Sequence, residues 1–356
     1  MKNKAGLGSF FHSTDADKIT NFNTLEYIPE YQLFYTGRHA MKYIFDKLSA
    51  EQTIEKIWLP KYYCQHVTSW LQNCYSNIHF YTIDPFNASH NLNVLDFATE
   101  KDIVLLNNFW GFFSYTIPTT ANRPICIEDH SHGWLSTGCL TSTADYCVAS
   151  LRKTLPIALG GILWQPNKEK IKKSNLEILP NTAFYNNWES IIAAMDLKKE
   201  YIATTLDSSA KDRYLEFIGA SETYLQHQYD VVALKEEHKK YINSYIQKDY
   251  TSYKKQNFEY LLQHLNINSN FNILTNTKNT PFGLHLVFKD RAAFLSLKAF
   301  LIGKDIYPSE LWPGNEKTDS WSYLLNIHID FRYNSTDMTH ITTSINQWGM
   351  HFSENN

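Results

Sequence analysis

Ile125-Cys126-Ile127-Glu128-Asp129-His130-Ser131-His132 is the stretch on which the reading of this chain turns. Three apolar residues carry the signature of a short buried strand, and two carboxylates and two histidines follow with almost no spacer. In a parallel sheet, ligands gather beyond the carboxyl ends of the strands, so charge placed directly after an apolar strand marks a candidate site. Similar apolar runs flank it: Ile57-Trp58-Leu59 ending at Pro60, then 78–83, 103–106, 146–149 and 161–164. Helical patterns at 40–48 and 65–73 lie between several of them. Alternation of this kind predicts an α/β domain with a mostly parallel central sheet flanked by helices.

Outward from there the pattern changes. From about Trp188 to Leu265 the chain is polar, helical and rich in Lys, Glu and Tyr, with no strong breaker. The last hundred residues carry strand-like runs at 282–288 and 324–329 and amphipathic helical runs at 291–301 and 337–348, which predicts a small C-terminal α+β domain. The expected division is a large domain over residues 1–250 and a small one over 251–356, two units being usual for a chain of 356 residues.

Composition excludes several function classes. The chain is 43% hydrophobic and 15% aromatic, too apolar for a disordered protein. Its 33 Lys and Arg against 36 Asp and Glu give a net charge of −3, which argues against a nucleic-acid binder that neutralises many phosphates. No apolar stretch approaches the roughly 20 residues that span a bilayer, so no membrane partner is expected. Met1-Lys2-Asn3-Lys4 leads into Ser, His and Asp rather than an apolar core, unlike a secretory signal. The five cysteines (64, 74, 126, 139 and 147) are odd in number and form no C-x-x-C pair, which suits free thiols in a reducing cytoplasm.

Four segments carry candidate chemistry. Thr36-Gly37-Arg38-His39-Ala40 opens a helical run; a glycine there exposes backbone N–H groups to an anion, and Arg38 adds a fork of donors. The plainer reading is an N-cap beside a surface arginine. In 125–132, Asp129 can hold a protonated ring nitrogen and His132 can stack on that ring. Asp129, His130 and His132 also read as a metal set, although alternate positions of an extended segment put Asp129 opposite the two histidines. Ser150-Leu151-Arg152-Lys153, followed by Gly160-Gly161, puts a lysine just past an apolar strand. Burial lowers a lysine pKa and frees the amine to attack a carbonyl, and Ser150 offers a hydroxyl for a phosphate. Asn107-Asn108-Phe109-Trp110-Gly111 supplies aromatic surface and amides at another strand end, or a packed loop. Together the four supply a phosphate cradle, a ring-nitrogen partner, a stacking group and an amine nucleophile, the equipment of a pyridoxal 5'-phosphate site.

In that order the segments T-G-R-H-A, L-P-K-Y-Y-C, N-N-F-W-G, I-E-D-H-S-H and S-L-R-K…G-G resemble the DegT/StrS-type aminotransferases. Ile306-Tyr307-Pro308 with Trp312, and Ile329-Asp330-Phe331-Arg332-Tyr333 with Asp337-Met338, resemble that family's small domain. The resemblance implies a fold-type-I enzyme with pyridoxal phosphate as cofactor. It implies transfer of an amino group from glutamate or glutamine to a keto sugar, often nucleotide-linked, in surface-polysaccharide or natural-product biosynthesis. It further implies a cytoplasmic homodimer with small-molecule substrates. Lys153 matches the Schiff-base lysine, Asp129 the partner of the pyridine nitrogen, and His132 the residue packed against the ring. Gly37 and Arg38, with His39 beside them, fall at the phosphate, with Ser150 and Trp110 as further cofactor contacts. Asn186, or Asn187 beside it, matches an asparagine that reaches the neighbouring subunit's site. Departures are also present: Val148 stands where the family has a serine, and Arg38 where it has a small hydroxyl residue. Two other classes remain open here, a cofactor-binding homologue without turnover and a metal-dependent hydrolase using Asp129, His130 and His132.

Overall fold

The computed structural model describes residues 6–354 apart from 9, 89–91, 173–175, 177, 204–207, 277–278 and 316–320. After a one-turn helix α1 (Thr24–Tyr27), strand β1 (Tyr31–Phe34) leads into helix α2 (Gly37–Glu51). The Thr36 hydroxyl caps that helix by accepting from the His39 N–H at 3.1 Å. Then come β2 (Lys56–Pro60), α3 (Gln65–Cys74), β3 (Ile78–Tyr81), β4 (Asp102–Asn107), β5 (Ile125–Asp129), the short α4 (Thr137–Leu140), β6 (Tyr146–Ser150) and β7 (Gly161–Trp164). They form one seven-stranded sheet in the order β1-β7-β6-β5-β4-β2-β3.

The four pairings from β3 through β6 are parallel, and β7 and β1 close the sheet as antiparallel strands. All six residues of β4 are buried, as befits a strand covered on both faces. The six apolar runs all became strands. β1 lacks a strand signature in the sequence, because Tyr31-Gln32-Leu33-Phe34 is short and has only its last residue buried. It becomes a strand by pairing with β7 at the sheet edge.

The polar helical stretch is four helices rather than one run: α5 (Thr182–Ala203), α6 (Ser208–Gln226), α7 (Glu236–Ile246) and α8 (Thr251–His264). The C-terminal part forms a second, antiparallel sheet in the order β10-β11-β9-β8 from β8 (Asn272–Ile273), β9 (Leu284–Phe288), β10 (Ser309–Glu310) and β11 (Tyr323–Ile327). Helices α9 (Arg291–Ile302) and α10 (Ser335–Glu354) pack with it, and α8 packs on α10. The chain's beginning also belongs here. The Leu7 N–H donates to Asp305 O at 2.8 Å and the Tyr307 N–H to Leu7 O at 2.7 Å. The buried Arg332 guanidinium donates to Gly8 O (2.9 Å) and Phe10 O (2.8 Å) while gripping Asp330. No described helix is long and apolar enough to cross a membrane.

Candidate active site

Three parallel-sheet strand ends and one helix start converge on a cavity of about 260 Å³. Asn107 from β4, Asp129 and Ser131 after β5, Ser150 and Lys153 after β6, and Gly37 at the start of α2 all line it. The helix start is seated tightly: a Cβ on Gly161 would lie 2.1 Å from Thr36 O, and one on Gly37 would lie 3.0 Å from the Ser150 Cβ. The glycines therefore bring the positive end of α2 against the end of β6, beside Lys153.

Asp129 is buried and held by three donors. The Tyr63 hydroxyl donates to Oδ2 at 2.5 Å, and the Ser131 N–H and hydroxyl donate to Oδ1 at 2.9 and 2.6 Å. The Ser131 hydroxyl in turn accepts from the Ser150 N–H at 2.8 Å, which ties β6 to the Asp129 loop. Burial, and then the Asp129 charge, push the Tyr63 pKa far up, so Tyr63 remains a donor.

Lys153 ends a single helical turn, Leu151–Lys153, directly after β6. Its side chain borders the cavity and is exposed to it. Burial lowers its pKa, the Arg152 charge adds to this, and Glu222 works in the opposite direction. A larger neutral fraction of amine follows, which is what a nucleophilic lysine requires. Glu222 reaches in from α6 and forms a two-armed pair with Arg152, one arm at 3.1 Å. Burial tends to raise the Glu222 pKa, but the charge and hydrogen bonds of Arg152, with Lys153 and Arg38, hold it at about 2. Arg38 also lines the cavity, with its guanidinium 5.6 Å above the Trp70 ring.

His132 stands between aromatic rings. Phe282 stacks on it at 4.3 Å, and Trp312 at 5.1 Å with 20° between planes. Burial, and then the Lys153 charge, hold its pKa well below the usual histidine value, so the ring is neutral. Trp312 belongs to the C-terminal unit and is clamped over the site: Asn315 accepts from the Tyr63 N–H (3.1 Å) and donates to the Tyr63 O (2.8 Å). A tight turn at Trp110-Gly111, both at positive φ, places Phe282, whose N–H donates to Trp110 O at 2.8 Å.

Two residues expected at the site, His39 and Trp110, are placed elsewhere. The His39 ring turns into the core between Trp70 and Phe184, because position 39 falls on the inner face of α2. Trp110 is fully buried behind His132 and stacks on it at 5.6 Å, supporting that ring from outside the cavity lining. Asn186 is exposed on α5, outside the cavity, while Asn187 is buried.

The metal set does not assemble either. His130 faces away from Asp129 and His132, under the sheet, where its Nε2 lies 2.9 Å from Glu128 Oε2. Glu128, His130 and Cys147 place donor atoms within 4.8 Å of one another. However, Asn108 Oδ1 accepts from the Phe113 N–H, which fixes the amide and points its Nδ2 at His130 Nδ1 (3.1 Å). The Nδ1 is thereby an acceptor and Nε2 carries the proton, occupying the position a metal would need.

Tyr63, Ser131, Glu222 and Trp312 are site residues that spacing did not pick out. Tyr63 was within the quoted L-P-K-Y-Y-C motif and Ser131 within I-E-D-H-S-H, so both signals were adjacent. Glu222 has none, since it lies about 70 residues from Lys153 on a polar helix.

No family model matches the sequence, and no curated protein matches it. Solved structures do. The sugar aminotransferase CalS13 from Micromonospora echinospora is 14% identical, with 98% of this chain and 100% of that chain covered and a TM-score of 0.58. PseC from Helicobacter pylori, an aminotransferase involved in the biosynthesis of pseudoaminic acid, is 9% identical, with 97% and 100% covered and a TM-score of 0.58. A GDP-4-keto-6-deoxymannose-3-dehydratase with a trapped PLP-glutamate geminal diamine is 12% identical, with 95% and 100% covered and a TM-score of 0.60. These likenesses, over nearly the whole of each chain, establish that this protein has the fold-type-I aminotransferase fold.

Proposed function

We propose that the protein is a pyridoxal phosphate-dependent aminotransferase that passes an amino group from glutamate or glutamine to a keto sugar. The observation that carries this is the shared cavity: an amine of lowered pKa, a triply hydrogen-bonded carboxylate and a helix N-terminus with an arginine, all on one sheet edge. The structural neighbours include sugar aminotransferases and an enzyme holding a trapped PLP-glutamate adduct, which support the same reading.

The residues fit the cofactor's chemistry. Lys153 would hold its aldehyde carbon, Asp129 its ring nitrogen, and the start of α2 with Arg38 and Ser150 its phosphate. When bound, the cofactor supplies an electron sink that stabilises negative charge at the donor's α-carbon. Asp129, fixed by Tyr63 and Ser131, would favour a proton on the ring nitrogen. His132, neutral and held between Phe282 and Trp312, would border the cofactor ring beside Lys153. The Lys153 Nζ would take the proton from the donor's α-carbon and deliver it to the carbon that had been the cofactor's aldehyde carbon. Trp312, held in place through the Asn315–Tyr63 bonds, borders the cavity. Lysine at position 153 suits amino transfer. Asn186, exposed on α5, is the residue through which a second subunit would contribute in a homodimer.

The test is the visible spectrum of the purified protein mixed with pyridoxal phosphate. A yellow band that is lost in Lys153→Ala and changes on addition of L-glutamate is the expected result. A protein that takes up no cofactor, or one whose band is unaffected by Lys153→Ala, overturns the proposal. A band that persists unchanged with every amino donor favours a cofactor-binding homologue without turnover.

A further inference from the structure

A second cavity, of about 520 Å³, also borders Lys153 and runs to the C-terminal sheet, where His328, Ser309 and Phe282 form its wall. Four basic side chains surround the Phe282 ring. His132 stacks on it at 4.3 Å, His285 lies at 6.4 Å, and His328 meets it edge-on at 6.1 Å. The Lys254 ammonium sits 5.1 Å above it. Behind this wall Lys198 and Lys254 are 8% and 5% exposed, and Arg332 is buried beside them. The buried carboxylate among them, Asp330, is already committed to Arg332 through paired hydrogen bonds. The wall therefore carries a surplus of buried positive charge, which is costly unless an anion offsets it. His132 Nδ1 and both ring nitrogens of His285 are buried without a hydrogen-bond partner.

We propose that the His328–Ser309 wall is the subsite for a carboxylate of the amino donor, with Lys254 as the charge behind it. The proposal deepens the function proposed above and rests on it. His328 Nε2 and the Ser309 hydroxyl lie 3.0 Å apart, facing one cavity with Lys153, so a donor whose amine meets Lys153 can extend a carboxylate toward them. A histidine, a hydroxyl and one ammonium match a monoanion. A phosphate dianion is better served by the arginine and helix start at the other end.

The titration of the wall follows the same logic. Burial holds His285 and His328 at about 3 and brings Lys254 to about 8, against the Asp330 charge, which works the other way on His328 and Lys254. Lys198 falls to about 7, through burial and Arg332. The groups facing His328 are Ser309 from β10, Asn326 from β11, His285 from β9, Lys254 from α8, Lys198 from α5, and the Asp330–Arg332 pair. Glu310 also borders the cavity, but its carboxylate is paired with Lys298 at 2.9 Å. A bound carboxylate adds negative charge, favours protonation of this cluster, and therefore binds with proton uptake and more weakly as pH rises.

The experiment is calorimetric titration of the purified protein with glutarate, which has no amine to react, with and without pyridoxal phosphate and in two buffers of different ionisation enthalpy. Glutarate is expected to bind with proton uptake, and at least tenfold more weakly to Ser309→Ala, His328→Gln and Lys254→Met. Inorganic phosphate should bind the wild type and these variants alike. Folding of each variant is checked by its thermal transition, and Ser309→Ala removes a single oxygen from the cavity wall. Wild-type protein that ignores glutarate, or glutarate that binds Ser309→Ala and Lys254→Met as tightly as the wild type, overturns the proposal. So does phosphate, if it proves the ligand those variants lose. Failure of the cofactor reading shows separately, as the absence of the yellow band, whatever glutarate does.

Discussion

Asp129 and Glu128 are neighbours on one strand, and the two faces of the sheet give them different lives. Asp129 faces a cavity shared with Lys153 and accepts from Tyr63 and Ser131. Glu128 faces the opposite way, 1% exposed, against His130 and Cys147. The residue types are similar, an acid with histidine nearby on each side, yet only one side is open. Chemistry needs access as well as donors. On the closed side Asn108 fixes the His130 tautomer and the polar groups serve the fold; on the open side the same strand end presents its carboxylate to a ligand.

The contrast is tested most severely on the open face. Lys153→Ala should lower turnover by a factor on the order of 10³ or more, since it removes both the nucleophile and the proton carrier. Its unfolding midpoint in urea should stay close to the wild type. Turnover near the wild-type rate would mean that the open face is not the reactive one.

On the closed face the effects invert. His130→Ala removes the ring in contact with a buried carboxyl and should destabilise the protein by about 3 kcal/mol, measured by urea unfolding. Cofactor uptake by the folded fraction should be unaffected. A variant of full stability that loses cofactor would erase the distinction between the faces.

Tyr63→Phe tests the hold on Asp129 at the open face. It deletes one of three hydrogen bonds to Asp129, worth about 1.5–3 kcal/mol for a charged acceptor, so pyridoxal phosphate should bind roughly 10- to 100-fold more weakly. Asn315→Ala, which frees the clamp on Tyr63 while leaving its hydroxyl, should move the same affinity less. Equal losses would show that Tyr63 acts through its backbone.

The smallest expected effect is a pH dependence. The Glu222 pKa is held at about 2, below its ordinary 4.5, so the Arg152 pair stabilises the fold above about pH 4.5 and loses that contribution as pH falls toward 2. The Glu222 side chain keeps 41% of its surface open, so solvent screens the pair and about 1 kcal/mol is expected. Urea unfolding of the wild type and Glu222→Gln from pH 6 to 3 should converge as the pH falls. Parallel curves would remove the pair's contribution.

Much of this was legible in the chain. The apolar runs at 57–59, 103–106, 125–127, 146–149 and 161–164 predicted strands because short, fully buried strands advertise themselves by hydrophobicity alone. Asp129 and Lys153 were legible because each follows such a run directly, and in a parallel sheet the carboxyl ends of strands share one edge. His39 was misplaced because adjacency in sequence does not fix which face of a helix a residue takes. Trp110 reached the right neighbourhood but the wrong layer, packing behind the ring that faces the cavity. His130 and His132 were expected to share a face; a turn after β5, closed by the Gly133 N–H to His130 O hydrogen bond, separates them.

The sequence by itself determined the alternation of elements, the strand ends that carry charge and the order of the site segments. These depend on local hydrophobicity and on residues close together in the chain. Only the tertiary structure decided that β1 closes the sheet, that Leu7, Gly8 and Phe10 join the C-terminal part, and that Glu222 and Trp312 meet Lys153 at one cavity. Those contacts span from about 70 to more than 300 residues. They are fixed by packing and by long-range charge pairing, neither of which leaves a local pattern in the chain.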